Sequence, residues 1–295
     1  MCEHIQLGVK VPLYASADFA PIQDEDPRHL RYHGNKSFID TKLLNQEGRE
    51  LLPVTIKAVR TEPDEDLEKA RDNELRIWRL LDPNPNIARF LGTGQLDEWP
   101  FDRLSLVSEF YVSRDANKFL EENDLPDMQR LELLKNVLRG ILHIHEKSIV
   151  HGDLKGTNIL VESNGNVAKI CDFGSSLINC GCYAGPEAET QTGSLPWDSP
   201  ERCKGGKPTT QSDIWAFGCI VLEIQMQTPP HRNISHVRVA MRLLGGILPA
   251  TETELDLSGQ VQRAVWDTVQ GCWDLEPSKR PSAAALLMAL EEIVV

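Results

Sequence analysis

The sequence predicts an α+β protein with two lobes, a small strand-rich lobe with one key helix and a larger helical lobe. Short alternating or apolar segments dominate residues 52–112, and long amphipathic segments dominate residues 128–294. The character of the chain changes near residues 111–116. Because each lobe would bury its own apolar faces, we expect a cleft between them.

Three strands and one helix are predicted in the first lobe. "LPVTIKAVR" (52–60) alternates and is β-branched, and "IARFLGTG" (87–94) and "LSLVSEFYV" (104–112) resemble strands as well. "PDEDLEKARDNELRIWRLL" (63–81) begins with acids that suit a helix N-terminus, and its apolar residues share one face. Residues 1–31 lack clear periodicity and are expected to form an extension or a poorly ordered arm.

The second lobe is predicted from helical periodicity. "MQRLELLKNVLRGILHIHEK" (128–147) is a long amphipathic helix, and "NGN" between two short apolar runs indicates a hairpin near residue 165. Residues 175–200 form a long, turn-rich stretch, which favours a functional or disordered loop. Further helical segments begin near residues 212, 234, 260 and 282.

Composition limits the classes of partner. The formal net charge of −13 and pI near 5.1 argue against a nucleic-acid or anionic-membrane binder. The sequence has no uninterrupted run of 18 apolar residues, so no membrane-spanning helix is predicted. The N-terminus lacks the apolar core of a signal peptide. Seven scattered cysteines suggest reduced thiols and a cytoplasmic protein, with the nucleus as an alternative. The oligomeric state is not indicated.

The stretch "HGDLKGTNIL" (151–160) carries the chemistry. Phosphoryl transfer needs metal ions, a cation on the phosphates and a group that orients the attacking hydroxyl. Asn158, together with Asp172 of "CDFG", supplies the hard oxygens that magnesium prefers. Asp153 is suited to accept the hydroxyl's hydrogen bond and later its proton, and Lys155 to neutralise the transferring group.

A metal site built from histidines is a weaker alternative. His143, His145 and His151 are close in sequence. Imidazoles two positions apart on a helix face different directions, so structural roles are favoured.

These motifs, taken in order, resemble a eukaryotic protein kinase domain over residues 32–292. "VTIKAVR" is similar to the family's V-A-I-K strand, "NELRIWRLL" to its first helix, and "HGDLKGTN" and "DFG" to its catalytic and metal-binding loops. "DSPE" stands for A-P-E, and "SDIWAFGCIVLE" and "CWDLEPSKRPS" resemble later helical-lobe segments. The resemblance implies a bilobal protein kinase-like fold, with an extension over 1–31, an N-lobe over 32–111 and a C-lobe over 112–295.

The resemblance also assigns roles to individual residues. It implies ATP and Mg²⁺ as cofactors and a protein as substrate. The implied residues are Asp153 and Lys155 for catalysis; Lys57, Glu74, Gly34, Glu109 and Tyr111 for ATP; Asn158 and Asp172 for metal; Ser194 for the substrate platform; and His151, Glu201, Asp213 and Arg280 for structure.

Three positions indicate the type of kinase. Lys155 and Ser194 resemble serine/threonine kinases, and Trp197 resembles their tyrosine-kinase-like branch. Gly152 is shared with small-molecule phosphotransferases, but Lys155 and "GSLPWDSPE" favour a protein kinase. Since Gly152 replaces the family's arginine, activity is expected not to depend on an activation-loop phosphate captured there.

The phosphate-covering loop departs from the family pattern. Its best placement is "GNKSFIDT" (34–41), in which Lys36 and Ile39 replace glycines and Thr41 replaces a valine. Glycines let the backbone approach phosphates closely. Two hypotheses therefore stand: an active serine/threonine kinase in intracellular signalling, favoured by the complete catalytic set, and a pseudokinase acting as a scaffold.

Overall fold

A computed structural model describes residues 11–22, 31–33, 37–45, 50–59, 65–96, 104–112, 115–180 and 194–294. Within these residues a seven-stranded sheet precedes a helical lobe, so the predicted α+β, two-lobed fold is confirmed.

The first lobe is a mixed sheet. Its strands are β1 (Leu13–Tyr14), β2 (Phe19–Pro21), β3 (Arg31–His33), β4 (Ser37–Leu44), β5 (Leu52–Val59), β6 (Phe90–Gly94) and β7 (Ser105–Glu109). Their order is β1-β6-β7-β5-β4-β2, and β3 also pairs with β4. The three strands predicted from alternation are confirmed as β5, β6 and β7. Their inward residues, including Val54, Ile56 and Val107, form a small core with Leu44.

The expected N-terminal arm is wrong for residues 11–22, because this segment belongs to the sheet. β1 lies parallel to β6, where the Thr93 amide donates to the Pro12 carbonyl at 2.9 Å. The rings of Tyr14 and Phe19 meet edge to face at 6.0 Å. Strands of two or three residues carry no period, so sequence patterning could not find them.

One edge of β4 is shared by two separate segments. Phe19–Pro21 pairs with the end of β4, opposite residues 42–44, and Arg31–His33 pairs with its start, opposite residues 38–40. The strand before the predicted lid is therefore built in two pieces, with residues 22–30 between them. We propose a first lobe that begins by residue 11 rather than at residue 32.

Helix α1 (Glu65–Leu81) confirms the helix predicted over 63–81. Ile77, Trp78 and Leu81 are buried, and the Trp78 indole donates to the Ala88 carbonyl at 2.6 Å. The helix ends before Pro83, because the residue preceding a proline disfavours helical geometry.

The second lobe contains the remaining helices and two small two-stranded antiparallel sheets. The helices are α2 (Ala116–Glu122), α3 (Asp127–Glu146), α4 (Pro200–Cys203), α5 (Thr210–Ile224), α6 (His236–Leu244), α7 (Gln260–Val269) and α8 (Ala283–Glu291). Strand β8 (Ile149–Val150) pairs with β11 (Leu177–Ile178), and β9 (Ile159–Val161) pairs with β10 (Ala168–Ile170). The hairpin predicted at "NGN" is the β9–β10 pair and is confirmed.

Helix α5 lies at the centre of this lobe. It is apolar on most of its surface, which is typical of a buried helix, and almost every residue from Ser212 to Ile224 is buried. Thr209 begins it through a capping box with Ser212. Helix α3 packs beside it, and Leu134, Val137 and Ile141 of α3 are fully buried. The loops anchored to α5 therefore rest on a rigid support.

The thiol prediction is only partly right. Cys171, Cys203, Cys219 and Cys272 are free, but Cys180 is disulfide-bonded, so the expectation of reduced thiols is wrong at that position.

Among the described residues, no helix has the length and apolar character to cross a membrane.

A buried ion pair joins two distant parts of the second lobe. Both terminal nitrogens of Arg280 donate to the Glu201 carboxylate, at 2.6 and 2.8 Å. The guanidinium is fully buried, donates to the Gln211 carbonyl as well, and lies 4.9 Å from the centroid of the Trp215 ring. The arrangement ties α4 to the segment that precedes α8.

We expect Arg280→Met to lower the free energy of unfolding by an amount near the lower end of the ~3–5 kcal/mol that breaking a buried pair costs, because the Glu201 carboxylate left without its cation is 26% exposed. Chemical denaturation measures this loss. Arg263→Met is the matched control, since its pair with Glu252 is exposed, and it should cost less than about 1 kcal/mol. Equal losses in the two variants would contradict the prediction.

Candidate active site

Asp213 of α5 holds the start of the catalytic loop, residues 151–158. One carboxylate oxygen accepts the His151 amide and the other the Gly152 amide, both at 2.9 Å. The first oxygen also lies 3.0 Å from His145 Nε2. Asp213 is 2% exposed. A buried carboxylate that accepts backbone N–H groups fixes the loop's path, because displacing the loop would leave the charge with His145 as its remaining partner.

Asp153, Lys155 and Ser194 meet at the surface of this loop. The Lys155 ammonium donates to the Asp153 carboxylate at 2.7 Å and to the Ser194 hydroxyl at 2.9 Å. Ser194 begins the 3-10 helix Leu195–Trp197, and we call Ser194–Trp197 the platform. The three predicted residues thus form one hydrogen-bonded group, partly open to solvent.

Lys57 lies between two carboxylates. Its ammonium is 2.8 Å from Glu74 on α1 and 2.6 Å from Asp172. Burial lowers the pKa of Lys57, but the two carboxylates outweigh it and raise that pKa above its ordinary value. The charge of Lys57 holds the pKa of Asp172 at about 2 against the effect of burial. Burial raises the pKa of Glu74, and Lys57 opposes that rise.

The segment around Asp172 is held in an unusual backbone conformation. Asp172 has φ +63°, in the left-handed region that residues with a β-carbon seldom adopt. Phe173 is fully buried against Trp78 and His151, with ring centroids at 5.8 and 5.3 Å. This packing orients the Asp172 carboxylate toward Lys57.

A second contact ties α1 to the same segment. The Asn73 amide donates to the Ser176 carbonyl at 2.9 Å, next to Glu74 in sequence. Sequence reasoning missed Asn73. Its signal was weak, since a lone asparagine beside a glutamate on a helix is ordinary.

Asn158 and Asp172 fit a divalent cation through their chemistry. The Asn158 amide nitrogen donates to the Asp153 carbonyl at 2.8 Å, which directs the amide oxygen away from that bond. The Cys171 amide donates to the Asn158 carbonyl at 3.0 Å, which brings the two segments together. Magnesium usually takes one or two protein carboxylates or amide oxygens besides phosphate and water, and these residues match that set. No cluster of three or more metal-binding His, Cys, Asp or Glu side chains occurs within the described part of the chain.

The three histidines have separate partners. Nε2 of His143 lies 3.0 Å from the Leu81 carbonyl, that of His145 is close to Asp213, and that of His151 lies 3.1 Å from the Cys171 carbonyl. The structural interpretation is therefore supported over a shared metal site.

The connecting segment between the lobes contains Glu109 and Tyr111. The Tyr111 hydroxyl donates to the Glu109 carboxylate at 3.2 Å and accepts the Arg89 amide at 3.2 Å. The ring is buried, and burial raises the pKa of this phenol. Any contact of Tyr111 with a nucleotide base is expected to come from its backbone.

The predicted lid is placed only in part. Gly34 and Lys36 lie outside the described residues. Asn35 lies outside them too, and residues 37–41 fall in strand β4, where Ile39 pairs with Lys57 and Thr41 with Thr55 on β5. Residues that pair across two antiparallel strands face the same side of the sheet, and every second residue of a strand does so too. Since Lys57 points into the site, Ile39 and Thr41 also lie on the site-facing side of the sheet.

Gly152 has a steric explanation. Its φ of +79° favours glycine, and a Cβ built there would lie 2.7 Å from the Ser175 carbonyl oxygen. The backbone at residue 152 therefore leaves no room for a side chain, and this explains why glycine stands where the family has an arginine.

Glu201 and Arg280 are the remaining residues for which a structural role was predicted. Glu201 and Arg280 form the buried pair described above. The structure brings Lys57, Glu74, Asp153, Lys155, Asn158, Asp172 and Ser194 into two adjoining groups, and their catalytic roles stay predictions. Glu223, which contacts the same loop, was missed, although a carboxylate at the end of an apolar helix was a usable signal.

We expect Gly152→Ala to destabilise the fold more than Gly205→Ala. Gly205 has a similar φ of +85°, but no described atom lies within 4 Å of a Cβ placed on it. Gly205→Ala should therefore cost only the backbone term of about 1–2 kcal/mol. Gly152→Ala adds a clash with backbone, and a thermal or urea melt should show the larger loss. Equal losses would contradict the steric explanation.

We expect Lys57→Met to make stability fall as pH rises. Glu74 already has a raised pKa in the folded protein, so its contribution is present at low pH and is lost as pH rises through that value. Without Lys57 the pKa should rise further, and the melting temperature of the variant should drop more at pH 8 than at pH 5. The double variant Lys57→Met/Glu74→Gln should show a smaller slope, the remainder coming from Asp172, whose pKa burial also raises once Lys57 is gone. An unchanged slope would contradict the assignment to Glu74.

Comparison with known proteins agrees with this geometry. The protein kinase domain family matches residues 42–289. The chain is 30% identical over 229 residues to the mitogen-activated protein kinase kinase kinase MST11 of Pyricularia oryzae, covering 75% of this chain and 24% of that protein.

Two further relatives show the same relation. The chain is 30% identical to the probable serine/threonine-protein kinase kinX of Dictyostelium discoideum, with 82% of this chain and 21% of that protein covered. It is 29% identical to the serine/threonine-protein kinase CTR1 of Arabidopsis thaliana, with 80% and 28% covered. The chain thus spans about a quarter of the length of these relatives. Their names agree with a serine/threonine kinase of the tyrosine-kinase-like branch, and the chain belongs to the protein kinase domain family.

Proposed function

We propose that this chain is a serine/threonine protein kinase that transfers the γ-phosphoryl group of ATP to protein hydroxyls in the presence of Mg²⁺. The observation that carries the proposal is the pair of adjoining groups: Lys57 with Glu74 and Asp172, and Asp153 with Lys155 and Ser194. Phosphoryl transfer depends mainly on positioning and charge stabilisation, and these groups are already in place.

The substrate side of the reaction is assigned to the second group. The substrate hydroxyl donates a hydrogen bond to the Asp153 carboxylate, which receives the proton late in the transfer. The new O–P bond forms at that hydroxyl oxygen while the bond between the γ-phosphorus and the β–γ bridging oxygen breaks. Lys155 neutralises charge on the moving group, since its ammonium lies 2.7 Å from Asp153.

The nucleotide side is assigned to the first group. Lys57 contacts the α- and β-phosphates, and Glu74 holds its ammonium in position. Asn158 and Asp172 would hold Mg²⁺, which supplies positive charge to the phosphate oxygens when bound. Gly34 and the backbone of residues 109–111 are proposed to contact the nucleotide.

Specificity for serine or threonine is supported by the platform. The Ser194 hydroxyl accepts a hydrogen bond from Lys155, which places the platform beside the acceptor Asp153. Two of the relatives are named serine/threonine-protein kinases, and the third is named a mitogen-activated protein kinase kinase kinase. We propose a corresponding role in signalling by protein phosphorylation.

A pseudokinase that acts as a scaffold is the second candidate. The observation that favours it is the lid, because Ile39 stands opposite Lys57 where the family pattern has a glycine. A side chain there limits how closely backbone can approach phosphates.

We expect the wild-type chain, incubated with labelled ATP and Mg²⁺, to transfer labelled phosphate to the peptides of a degenerate serine/threonine library. Asp153→Asn keeps the shape of the side chain and should lower the rate by at least about 100-fold, because the amide cannot accept the proton. Nucleotide binding, measured by the thermal shift with ATP and Mg²⁺, should be nearly unchanged in this variant.

Two outcomes would contradict the enzymatic proposal. Equal incorporation by wild type and Asp153→Asn would show that the phosphate comes from a contaminant. Absence of incorporation by a wild-type chain that binds the nucleotide would favour the scaffold.

A further inference from the structure

Helix α6 carries apolar side chains on the side that faces solvent as well as on the side that faces the core. On the core side, Val239 and Leu243 are fully buried. On the opposite side, three apolar residues at positions i, i+4 and i+7 are mostly exposed: Val237 by 74%, Met241 by 69% and Leu244 by 52%. A surface helix ordinarily presents polar residues to water, so packing within the lobe does not account for this second apolar row.

The apolar surface continues past the end of the helix. The Ile247 amide donates to the Arg242 carbonyl at 2.9 Å, which turns the chain back over the last turn of α6. A Cβ placed on Gly246 would lie 3.1 Å from a methyl carbon of Leu275, so Leu275 lies against this turn. Ile247 and Leu275 are both exposed.

These exposed apolar side chains form one surface, which we call the α6 patch: Val237, Met241, Leu244, Ile247 and Leu275. Single exposed apolar residues are ordinary on a protein surface. A contiguous group of them instead marks a site of interaction.

The helix beneath the patch is held in place by its inner side. It packs against α4 and the platform. Val239 and Leu243 belong to a core cluster that also contains Trp215 and Trp266. Since this side is fixed in the core, α6 cannot rotate to bury its outer row.

The surface around the start of α6 is basic, although the chain as a whole is acidic. The sequence has no Asp or Glu from residue 225 to residue 251, in a chain with 44 acidic residues and a formal net charge of −13. Arg232 and Arg238 are exposed, and within the described part of the chain neither is in an ion pair. An occupant that carries carboxylates would therefore complement this rim.

The other end of the patch is close to neutral. Glu276, which follows Leu275, pairs with Lys279 at 2.8 Å. Asp274 accepts the backbone amide of Glu276. A second copy of the chain would bring the same basic rim and no acidic one to match it, so an acidic partner is favoured over self-association.

We propose that the α6 patch is a docking surface for an acidic amphipathic helix of another protein. The row from Val237 to Leu244 is about 10 Å long, which matches the apolar stripe of two turns of a second helix. Carboxylates beside that stripe would pair with Arg232 and Arg238. The proposal goes beyond phosphate transfer and does not depend on it, so Asp153→Asn should bind such a helix as the wild type does.

A protein helix suits this surface better than a lipid bilayer does. An anionic membrane is an extended surface, which would also face the acidic remainder of the chain and be repelled by it. A helix contacts the patch and its rim alone.

Fluorescence anisotropy of the full chain with a labelled synthetic peptide tests the proposal. The probe is an alanine-rich helix of about 18 residues with Leu at i, i+4 and i+7 and Glu along one edge of that row. We expect it to bind the wild type, and Met241→Glu and Arg238→Glu each to weaken binding by about tenfold or more. A peptide of the same composition with its leucines spread around the helix should not bind.

Two control variants separate the patch from general changes in charge and surface. Met288→Glu on α8 replaces a methionine that is also exposed, and Lys118→Glu on α2 changes the net charge as Arg238→Glu does. Neither should weaken binding. Met241 and Arg238 are exposed, so their variants should melt at the wild-type temperature. Val237→Glu is a second variant of the row if Met241→Glu does not fold.

Four results would overturn the proposal. The first is equal binding of the two peptides, or an equal loss in the control variants. The second is no binding at about 1 mM peptide. The third is association with phosphatidylserine vesicles that is stronger than peptide binding and is lost in Met241→Glu, which would assign the patch to a membrane. The fourth is a dimer in sedimentation that Met241→Glu dissociates, which would assign the patch to a second copy of the chain.

Discussion

The catalytic loop depends on two buried carboxylates of a single helix. Asp213 and Glu223 stand ten positions apart on α5, about 15 Å along its axis. Asp213 accepts the amides of residues 151 and 152, and Glu223 accepts the amide of residue 156. Because both charges are removed from water, the loop's own N–H groups supply much of their compensation. The loop is therefore held at its start and again at residue 156 by buried carboxylates of an apolar helix, and Asp153 lies between the two attachments.

A second group of charged residues connects the first lobe to the second. Lys57 on β5 bonds to Glu74 on α1 and to Asp172, which follows the β9–β10 hairpin. Asn73 adds a neutral bond from α1 to the Ser176 carbonyl. These contacts bring residues from both lobes to one point. The Lys57 ammonium is central to this group, because without it the carboxylates of Glu74 and Asp172 would face each other across a partly buried space.

The glycines of the catalytic loop show why residue type and backbone cannot be separated here. Gly152 adopts a positive φ beside the Ser175 carbonyl, and Gly156 lies against Asn117. At both positions a side chain would collide with an atom of a neighbouring segment. The local backbone at residue 152 therefore accounts for the glycine there. The same glycine means that this position has no cation to bind a phosphate.

The sequence by itself determined the α+β class, the order of the main helices and strands, and the identity of the charged residues in the site. Periodicity is a local property, so α1, α3 and the strands β5 to β7 could be predicted from it, and Asp153, Asn158 and Asp172 carry their signal in short motifs. Only the tertiary structure decided the rest. β1 and β2 gain their strand geometry from pairing with β6 and β4, the left-handed backbone at Asp172 is held by the packing of Phe173, and Glu223 receives its three partners from segments up to 106 positions away in the chain. Such contacts depend on which elements the fold brings together, and no local pattern encodes them.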